Sequence, residues 1–277
     1  MHPGDVLEYA WDHPNVRPIG HELPYFVALP TTAGTGSEVG RSSVISDDAT
    51  HIKKIIFSPR LLAKAVFADP ELTFDLPPEL TAATGMDALT HNIESYLSPA
   101  YHPLCDGIAL EGARLAARSL RKAVQEPHHL QARSDMLMSS MMGAIAFQKD
   151  LGAVHSCAHA LSTVADFHHG LANGIMLDHV MRFNLPAATE KMAELAHVAG
   201  VARNSAADSA QAFVDWLTAL KRELAIPATL GAHAATRRVT RADVPALVDV
   251  AIQDTCHQTN PRPCTREDFE RIFTEAI

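Results

Sequence analysis

The sequence predicts a short strand-rich segment at the amino terminus, followed by a larger helical domain. Up to about residue 76, short runs of β-branched and aromatic residues are separated by Gly, Ser, Asp and Pro, which is typical of strands joined by turns. After that point, apolar residues recur at spacings of three and four, which is the period of an amphipathic helix. We therefore expect two domains, residues 1–76 and 77–277.

The predicted elements follow the chain in order. Four β-like runs, YFVALP, SSVIS, KKIIF and KAVFAD, occupy the first segment. Pro77 and Pro78 then suit the first turn of a helix, where the missing N–H group of proline costs no hydrogen bond. The periodic stretches predict helices over residues 79–98, 104–125, 130–149, 151–166, 188–201, 207–223, 242–254 and 266–276.

Composition and charge restrict the classes of function. With 47% hydrophobic residues, the 277-residue chain can bury a substantial core, and its formal net charge of −9 argues against nucleic-acid and anionic-membrane partners. No apolar stretch approaches the ~18 residues of a spanning helix, and the first residues do not resemble a signal peptide. The four cysteines form no CxxC pair. We therefore expect a cytoplasmic protein with reduced thiols and a small-molecule partner.

Two pairs of polar residues have the spacing that a metal site on a helix requires. Asp87 and His91 lie four residues apart in TGMDALTHNIE, and His155 and His159 have the same spacing in VHSCAH. On a helix, both side chains of such a pair could reach one ion. A carboxylate with several imidazoles suits Fe(II) or Zn(II), whereas Ca(II) and Mg(II) prefer oxygen ligands. A solvated helix face is the alternative, and spacing alone leaves both interpretations open.

The stretch LPTTAGTGSEVG is rich in glycine and in hydroxyl-bearing residues. It lacks a third glycine at the position of the Rossmann fingerprint, and a β-like run follows it where that fingerprint requires a helix. Such a loop can still present hydroxyl and backbone N–H groups to a phosphate or a ribose. An ordinary hairpin turn is the alternative on local grounds.

Taken in order, these stretches resemble one family, the iron-containing, metal-dependent alcohol dehydrogenases. The segments that carry the resemblance span nearly the whole chain and keep the family's order and spacing. They are LPTTAGTGSEV (29–39), DPELT (69–73), LPPELTAATGMDALTHNIESYLS (76–98), VHSCAHALS (154–162), HHGLANGIMLDHVMRFN (168–184) and NPRPCTREDFERIF (260–273).

The resemblance implies both an architecture and a set of metal ligands. A nucleotide-binding α/β domain, here only a remnant, would precede an all-α metal-binding domain, as in dehydroquinate synthase-like folds, with the active site between the two. By position, Asp87, His91, His155 and His169 would coordinate Fe(II) or Zn(II). His159 would be the catalytic histidine that relays a proton.

The resemblance also implies a site for NAD or NADP. Gly40 and Ser42 replace larger polar residues that are common in the family, so the resemblance does not extend to the contacts at these two positions. His168 stands where the family often has proline and is given no role, and Cys157 is expected to pack in the core. The residues that match the family's cofactor contacts are Thr31, Thr32, Gly34, Thr35, Gly36, Lys53 and Leu72.

The implied reaction is reversible hydride transfer between an alcohol and NAD(P), giving an aldehyde or a ketone in a homo-oligomeric enzyme. Family members carry a Gly-Gly-Gly-Ser type loop for the cofactor diphosphate upstream of HPGDVLEY, and this sequence has no such loop. We therefore expect a truncated gene product or a fragment that binds the dinucleotide weakly. A catalytically silent metal-binding or oligomerisation module is the alternative. A metal-dependent hydrolase is a third, although hydrolysis gives no reason for the Thr31–Gly36 loop.

Overall fold

The strands form two small sheets in the first segment. The computed structural model describes residues 3–20, 23–49, 53–232 and 238–277. Strand β1 (Val27–Ala28) pairs in parallel with β4 (Ala65–Val66). Strand β2 (Ser42–Ser46) pairs antiparallel with β3 (Lys53–Phe57). Each strand falls within one of the four runs that the sequence predicted.

Eight α-helices lie among the described residues of the rest of the chain. All but one of them overlap a single predicted helix closely. Their bounds are α1 Pro78–Leu97, α2 Pro103–Gln125, α3 Leu130–Ala146, α4 Ala153–Ala165, α5 His169–Val198, α6 Ala206–Glu223, α7 Val244–Ala251 and α8 Arg266–Ala276.

The exception is α5, where the predicted start was wrong. The helix predicted for 188–201 is only the last part of α5, which begins at His169 and bends at Ala188 (φ −133°). The bend follows Pro186, whose ring and missing N–H group disturb the helical hydrogen bonds. The first half of α5 is buried on most sides, so it shows little amphipathic period.

Three other predicted helices are longer than the observed ones. The helix predicted for 130–149 gives way to a 3-10 turn after Ala146, and the one predicted for 151–166 begins only at Ala153. The helix predicted for 242–254 is α7, which ends at Ala251. In each case the apolar spacing continues through a turn next to the helix. Periodicity alone therefore could not locate the first or last residue of the helix.

Helix α1 is the centre of the helical domain. Every residue from Gly85 to Leu97 is buried, because α2, α3 and α5 pack around this helix. Two glycines permit the close approach. A Cβ atom at Gly170 would lie 2.5 Å from the Ala83 carbonyl oxygen, and one at Gly143 would lie 2.8 Å from the Cβ of His91. These contacts bring the start of α5 and the last turn of α3 directly against the polar face of α1.

The core consists mainly of aliphatic, methionine and phenylalanine side chains from the eight helices. All four cysteines are free thiols, and Cys157 is completely buried in this core, as the sequence predicted. The strand-rich segment is less well covered, since Tyr25, Phe26 and Phe67 are 75%, 51% and 60% exposed. No helix in the described part of the chain is both long and apolar enough to span a bilayer.

Candidate metal centre and active site

Four polar side chains from three helices meet in one cluster. Helix α1 contributes Asp87 and His91, α4 contributes His155, and α5 contributes His169 at its first residue. The Oδ1 atom of Asp87 lies 3.9 Å, 3.6 Å and 3.4 Å from the Nε2 atoms of the three histidines in that order. Asp87, His91 and His155 are almost completely buried. Asp87 and His91, which lie four residues apart, therefore belong to a buried cluster and not to a solvated helix face.

The distances from Asp87 fit one divalent ion. Asp87, His91 and His155 each offer a ligand atom within 4.8 Å of the others, whereas the fit of His169 rests on its distance from Asp87. A tetrahedral ion that binds nitrogen and oxygen ligands at about 2.1 Å holds neighbouring ligand atoms about 3.4 Å apart. The separations of 3.4–3.9 Å between Asp87 Oδ1 and the imidazole nitrogens are close to this value. They are too long for direct hydrogen bonds, so the buried nitrogens converge on the carboxylate without pairing with it. Three imidazoles and one carboxylate are a donor set for Fe(II) or Zn(II).

Glu94 fixes the orientation of His155. One carboxylate oxygen accepts a hydrogen bond from His155 Nδ1 at 2.6 Å, and the other accepts one from the Val154 backbone N–H at 2.7 Å. With Nδ1 held in this way, Nε2 points at Asp87. The sequence reasoning missed Glu94, although it lies three residues after His91 and on the same helical face. This three-residue spacing could have identified Glu94 as a neighbour of the candidate ligands.

Asn173 is a second residue that the sequence reasoning missed. It lies one turn after His169 on α5, and its Nδ2 donates a hydrogen bond of 2.7 Å to Asp87 Oδ1. The same nitrogen lies 3.2 Å from His169 Nε2 and 3.4 Å from His155 Nε2. The amide therefore contacts three of the four candidate ligands. The four-residue spacing from His169 would have indicated a shared face.

Burial and charge set the protonation of this cluster in the metal-free protein. Burial would raise the pKa of Asp87, but the adjacent His91, His155 and His169 hold it well below its usual value. Burial lowers the pKa of His91 to about 3, so its imidazole is neutral. Burial also acts to lower the pKa of His155, but interactions with the Asp87 and Glu94 carboxylates outweigh it and raise the pKa to about 9. A metal ion binding at Nε2 must therefore displace a proton from His155.

His159 lies beside this cluster and is oriented by Asp254. The Asp254 carboxylate accepts hydrogen bonds from His159 Nδ1 at 2.7 Å, from the Ser156 hydroxyl at 2.8 Å and from the Cys256 backbone N–H at 2.9 Å. The His159 side chain is 29% exposed, and its ring stacks on that of His169 with centroids 5.4 Å apart. The second ring nitrogen of His159 is thus left available next to the candidate metal site.

Asp254 was not identified from the sequence. It follows α7 and is 95 residues from His159, so no short spacing connects them. Burial opposes ionisation of Asp254, but the hydrogen bond and the charge of His159 hold its pKa well below the usual range. The dyad is therefore a carboxylate paired with an imidazole whose Nδ1 carries the proton.

The Gly-rich stretch forms an open loop rather than a hairpin turn. It connects β1 to β2, which belong to different sheets, so the hairpin alternative was wrong. Gly36 has a left-handed backbone (φ +66°), and a Cβ atom there would lie 2.5 Å from the Ser140 carbonyl oxygen. The Ser140 hydroxyl donates to the Gly34 carbonyl oxygen at 2.9 Å. These contacts anchor the loop on α3.

A cavity of about 410 Å³ opens beside this loop. Thr31, Thr32, Thr35 and Gly36 line it, whereas Gly34 is buried against α1 and lies outside the lining. Thr35 also reaches the metal cluster, since its hydroxyl donates to Asp87 Oδ2 at 3.2 Å. The other two predicted cofactor contacts are likewise not part of the lining; they are Lys53, exposed on β3, and Leu72, which is 43% exposed.

The comparisons with known proteins define the class to which this fold and site belong. A family profile described as iron-containing alcohol dehydrogenase matches residues 4–70. A profile described as the C-terminal part of the Fe-containing alcohol dehydrogenase family matches residues 81–277. The chain therefore belongs to the iron-containing alcohol dehydrogenase family, as the sequence predicted. This family uses a metal ion and a nicotinamide cofactor.

Individual relatives support the same membership. The chain is 38% identical to 1,3-propanediol dehydrogenase of Klebsiella pneumoniae, over 100% of this chain and 70% of that protein. It is 36% identical to 4-hydroxybutyrate dehydrogenase of Cupriavidus necator, over 100% of this chain and 72% of that protein.

Solved structures agree on the fold. The crystal structure of a 1,3-propanediol oxidoreductase superposes with a TM-score of 0.91 at 38% identity, covering 100% of this chain and 71% of the other. The alcohol dehydrogenase from Oenococcus oeni superposes with a TM-score of 0.90 at 35% identity, covering 99% and 70%. The fold is that of a metal-dependent alcohol dehydrogenase.

Proposed function

We propose that this chain catalyses reversible hydride transfer between a small primary alcohol and NAD, with Fe(II) held by Asp87, His91, His155 and His169. The convergence of the three imidazoles on Asp87 Oδ1 carries the proposal. Relatives named for 1,3-propanediol, 4-hydroxybutyrate and methanol support a small alcohol as the substrate. The name of the Bacillus methanolicus relative, NAD-dependent methanol dehydrogenase, favours NAD over NADP. Zn(II) fits the same ligands, so the choice of iron rests on the family.

The chemistry divides between the bound ion and the protein. When bound, a divalent ion supplies Lewis acidity that lowers the pKa of an alcohol hydroxyl group. His159 then accepts the hydroxyl proton and passes it to solvent, which its partly exposed ring allows. Asp254 holds the Nδ1–H of this ring, so Nε2 is the atom that faces the substrate. Asp254 also stabilises the imidazolium that forms when the proton is accepted.

The loop from Thr31 to Gly36 is the proposed cofactor site. Its threonine residues line the cavity, where their hydroxyl groups could bind the ribose or phosphate groups of a dinucleotide. The strands end at Val66 and the long helices begin at Pro78, so we place the domain boundary near residue 76. The active site then lies where the loop of the first domain meets the helices of the second.

The proposal is tested by loading the protein anaerobically with Fe(II) or Zn(II) and measuring NAD reduction. The substrates are 1,3-propanediol, 1-propanol and 4-hydroxybutyrate, and NADP is tested in parallel. We expect about one metal ion per chain and metal-dependent turnover with NAD. A His91→Ala variant that binds no metal is the matched control. Stoichiometric metal binding without turnover on any alcohol would contradict the proposal and favour a silent metal-binding module.

A homo-oligomer is the proposed assembly. The first segment exposes Tyr25, Phe26, Leu29 and Phe67 on and around the short β1–β4 sheet. Apolar side chains beside unpaired strand edges favour association with another chain. Light scattering of the metal-loaded protein measures the assembly, and a monomer at all concentrations would exclude it.

A further inference from the structure

Thr35 lies on the boundary between the candidate cofactor loop and the candidate metal site. We propose that Thr35 is a positioning residue. It couples binding of the dinucleotide at the loop to the strength with which Asp87 binds the metal ion. This inference rests on the proposed function, because it requires that both ligands bind at these places. It assigns Thr35 a role beyond contact with the cofactor.

The two oxygens of Asp87 face different partners. Oδ1 lies 3.4–3.9 Å from the Nε2 atoms of His91, His155 and His169, so it is the oxygen placed to bind an ion. Oδ2 accepts the hydrogen bond of 3.2 Å from the Thr35 hydroxyl. The loop therefore fixes the carboxylate through Oδ2, while Oδ1 faces the histidines. A hydrogen bond of this kind fixes the rotamer of a ligand and raises metal affinity.

The loop is anchored on both sides of Thr35 but open at Thr35 itself. Gly34 is tied to α3 through the Ser140 hydroxyl, and Gly36 packs directly on the backbone of the same helix. Thr35 between them is exposed and lines the cavity of about 410 Å³. A ligand in this cavity thus touches the same residue that holds Asp87 Oδ2. No rearrangement of the helices is needed to connect the two sites.

This arrangement predicts the direction of the coupling. In the free protein, the exposed Thr35 side chain can leave its hydrogen bond with Asp87 by rotating towards solvent. A dinucleotide that covers the loop restricts this rotation and keeps the hydroxyl on Oδ2. Metal binding is then tighter in the presence of NAD, and by reciprocity NAD binding is tighter in the presence of the metal. Asn173 holds Oδ1 independently, so loss of Thr35 weakens the metal site without abolishing it.

The test measures metal release rather than activity. The protein is loaded with Zn(II), and chelator-driven release is followed with and without saturating NAD. The variants are Thr35→Val, which keeps the shape and removes the hydroxyl, and Thr35→Ser, which keeps the hydroxyl. Ser37→Ala is the control at the end of the same loop, because Ser37 lines the cavity without a side-chain hydrogen bond to a metal ligand in the described structure and is not one of the proposed cofactor contacts.

We expect Zn(II) release from Thr35→Val to be about tenfold faster than from wild type without NAD. NAD should slow release from wild type and from Thr35→Ser by about fivefold. It should not slow release from Thr35→Val, and Ser37→Ala should release Zn(II) at the wild-type rate without NAD.

Three results would overturn the inference: no effect of NAD on release from wild type, an equal effect of NAD on Thr35→Val, or wild-type release from Thr35→Val. The first two results require that NAD as well as Zn(II) binds, which calorimetric titration of NAD into the Zn(II)-loaded protein establishes, and the third requires only Zn(II). Failure of the wild-type protein to bind Zn(II) or NAD at all would instead refute the proposed function, so the two failures are distinguishable.

Discussion

Replacement of Glu94 by glutamine tests whether the metal site depends on the residues behind its ligands. Glu94 is buried and accepts two hydrogen bonds, from His155 Nδ1 at 2.6 Å and from the Val154 N–H at 2.7 Å. Glutamine offers a single carbonyl oxygen, so one of these two N–H groups would face an amide NH2 group instead. A lost hydrogen bond to a charged group costs about 1.5–3 kcal/mol. The imidazole of His155 would also lose the charge that fixes its tautomer.

The expected result is a metal affinity lower by about 10- to 100-fold, which corresponds to about 1.4–2.8 kcal/mol. The free energy of unfolding of the metal-free Glu94→Gln protein should fall by a similar amount, because a buried donor is left unpaired. Chelator competition with Zn(II) measures the affinity, and urea denaturation measures the stability. Glu79→Gln, an exposed change in the first turn of the same helix, is the control. A folded Glu94→Gln protein whose affinity stays within about twofold of wild type would refute the reasoning.

Three further predictions concern the ligands, the relay and the loop. His155→Ala should lose bound metal while His159→Ala keeps it and loses turnover, and equal metal loss by elemental analysis would mean that the two roles are misassigned. Asp254→Asn should keep the metal and lower turnover by roughly 10²–10⁴, because the imidazolium loses its counter-charge; steady-state kinetics at normal metal content checks this. Gly36→Ala should lower the free energy of unfolding by about 1–3 kcal/mol, since the left-handed backbone and the α3 carbonyl oppose a Cβ atom. Gly107→Ala on α2, where a Cβ atom meets nothing within 4 Å, should not be destabilising in the same urea titration.

The sequence determined those features that depend on neighbours a few residues apart. Four-residue spacing placed Asp87 and His91 on one helical face, and the alternation of short apolar runs with turn residues located all four strands. The family resemblance added His169, which lies at no helical spacing from Asp87, His91 or His155. The same local reasoning failed at the start of α5, because a helix buried on most sides has no polar face to mark its period.

Only the tertiary structure decided which side chains support the site. Thr35 and Asp87 are 52 residues apart, Glu94 and His155 are 61 apart, and Asp254 and His159 are 95 apart. No spacing rule connects such pairs, since their contact depends on how α1, α4 and the segment after α7 pack. That packing in turn depends on close approaches such as Gly170 against Ala83, which bring His169 to Asp87. Helical periodicity acts over one or two turns, whereas the partners of a buried charge are set by the packing of whole helices.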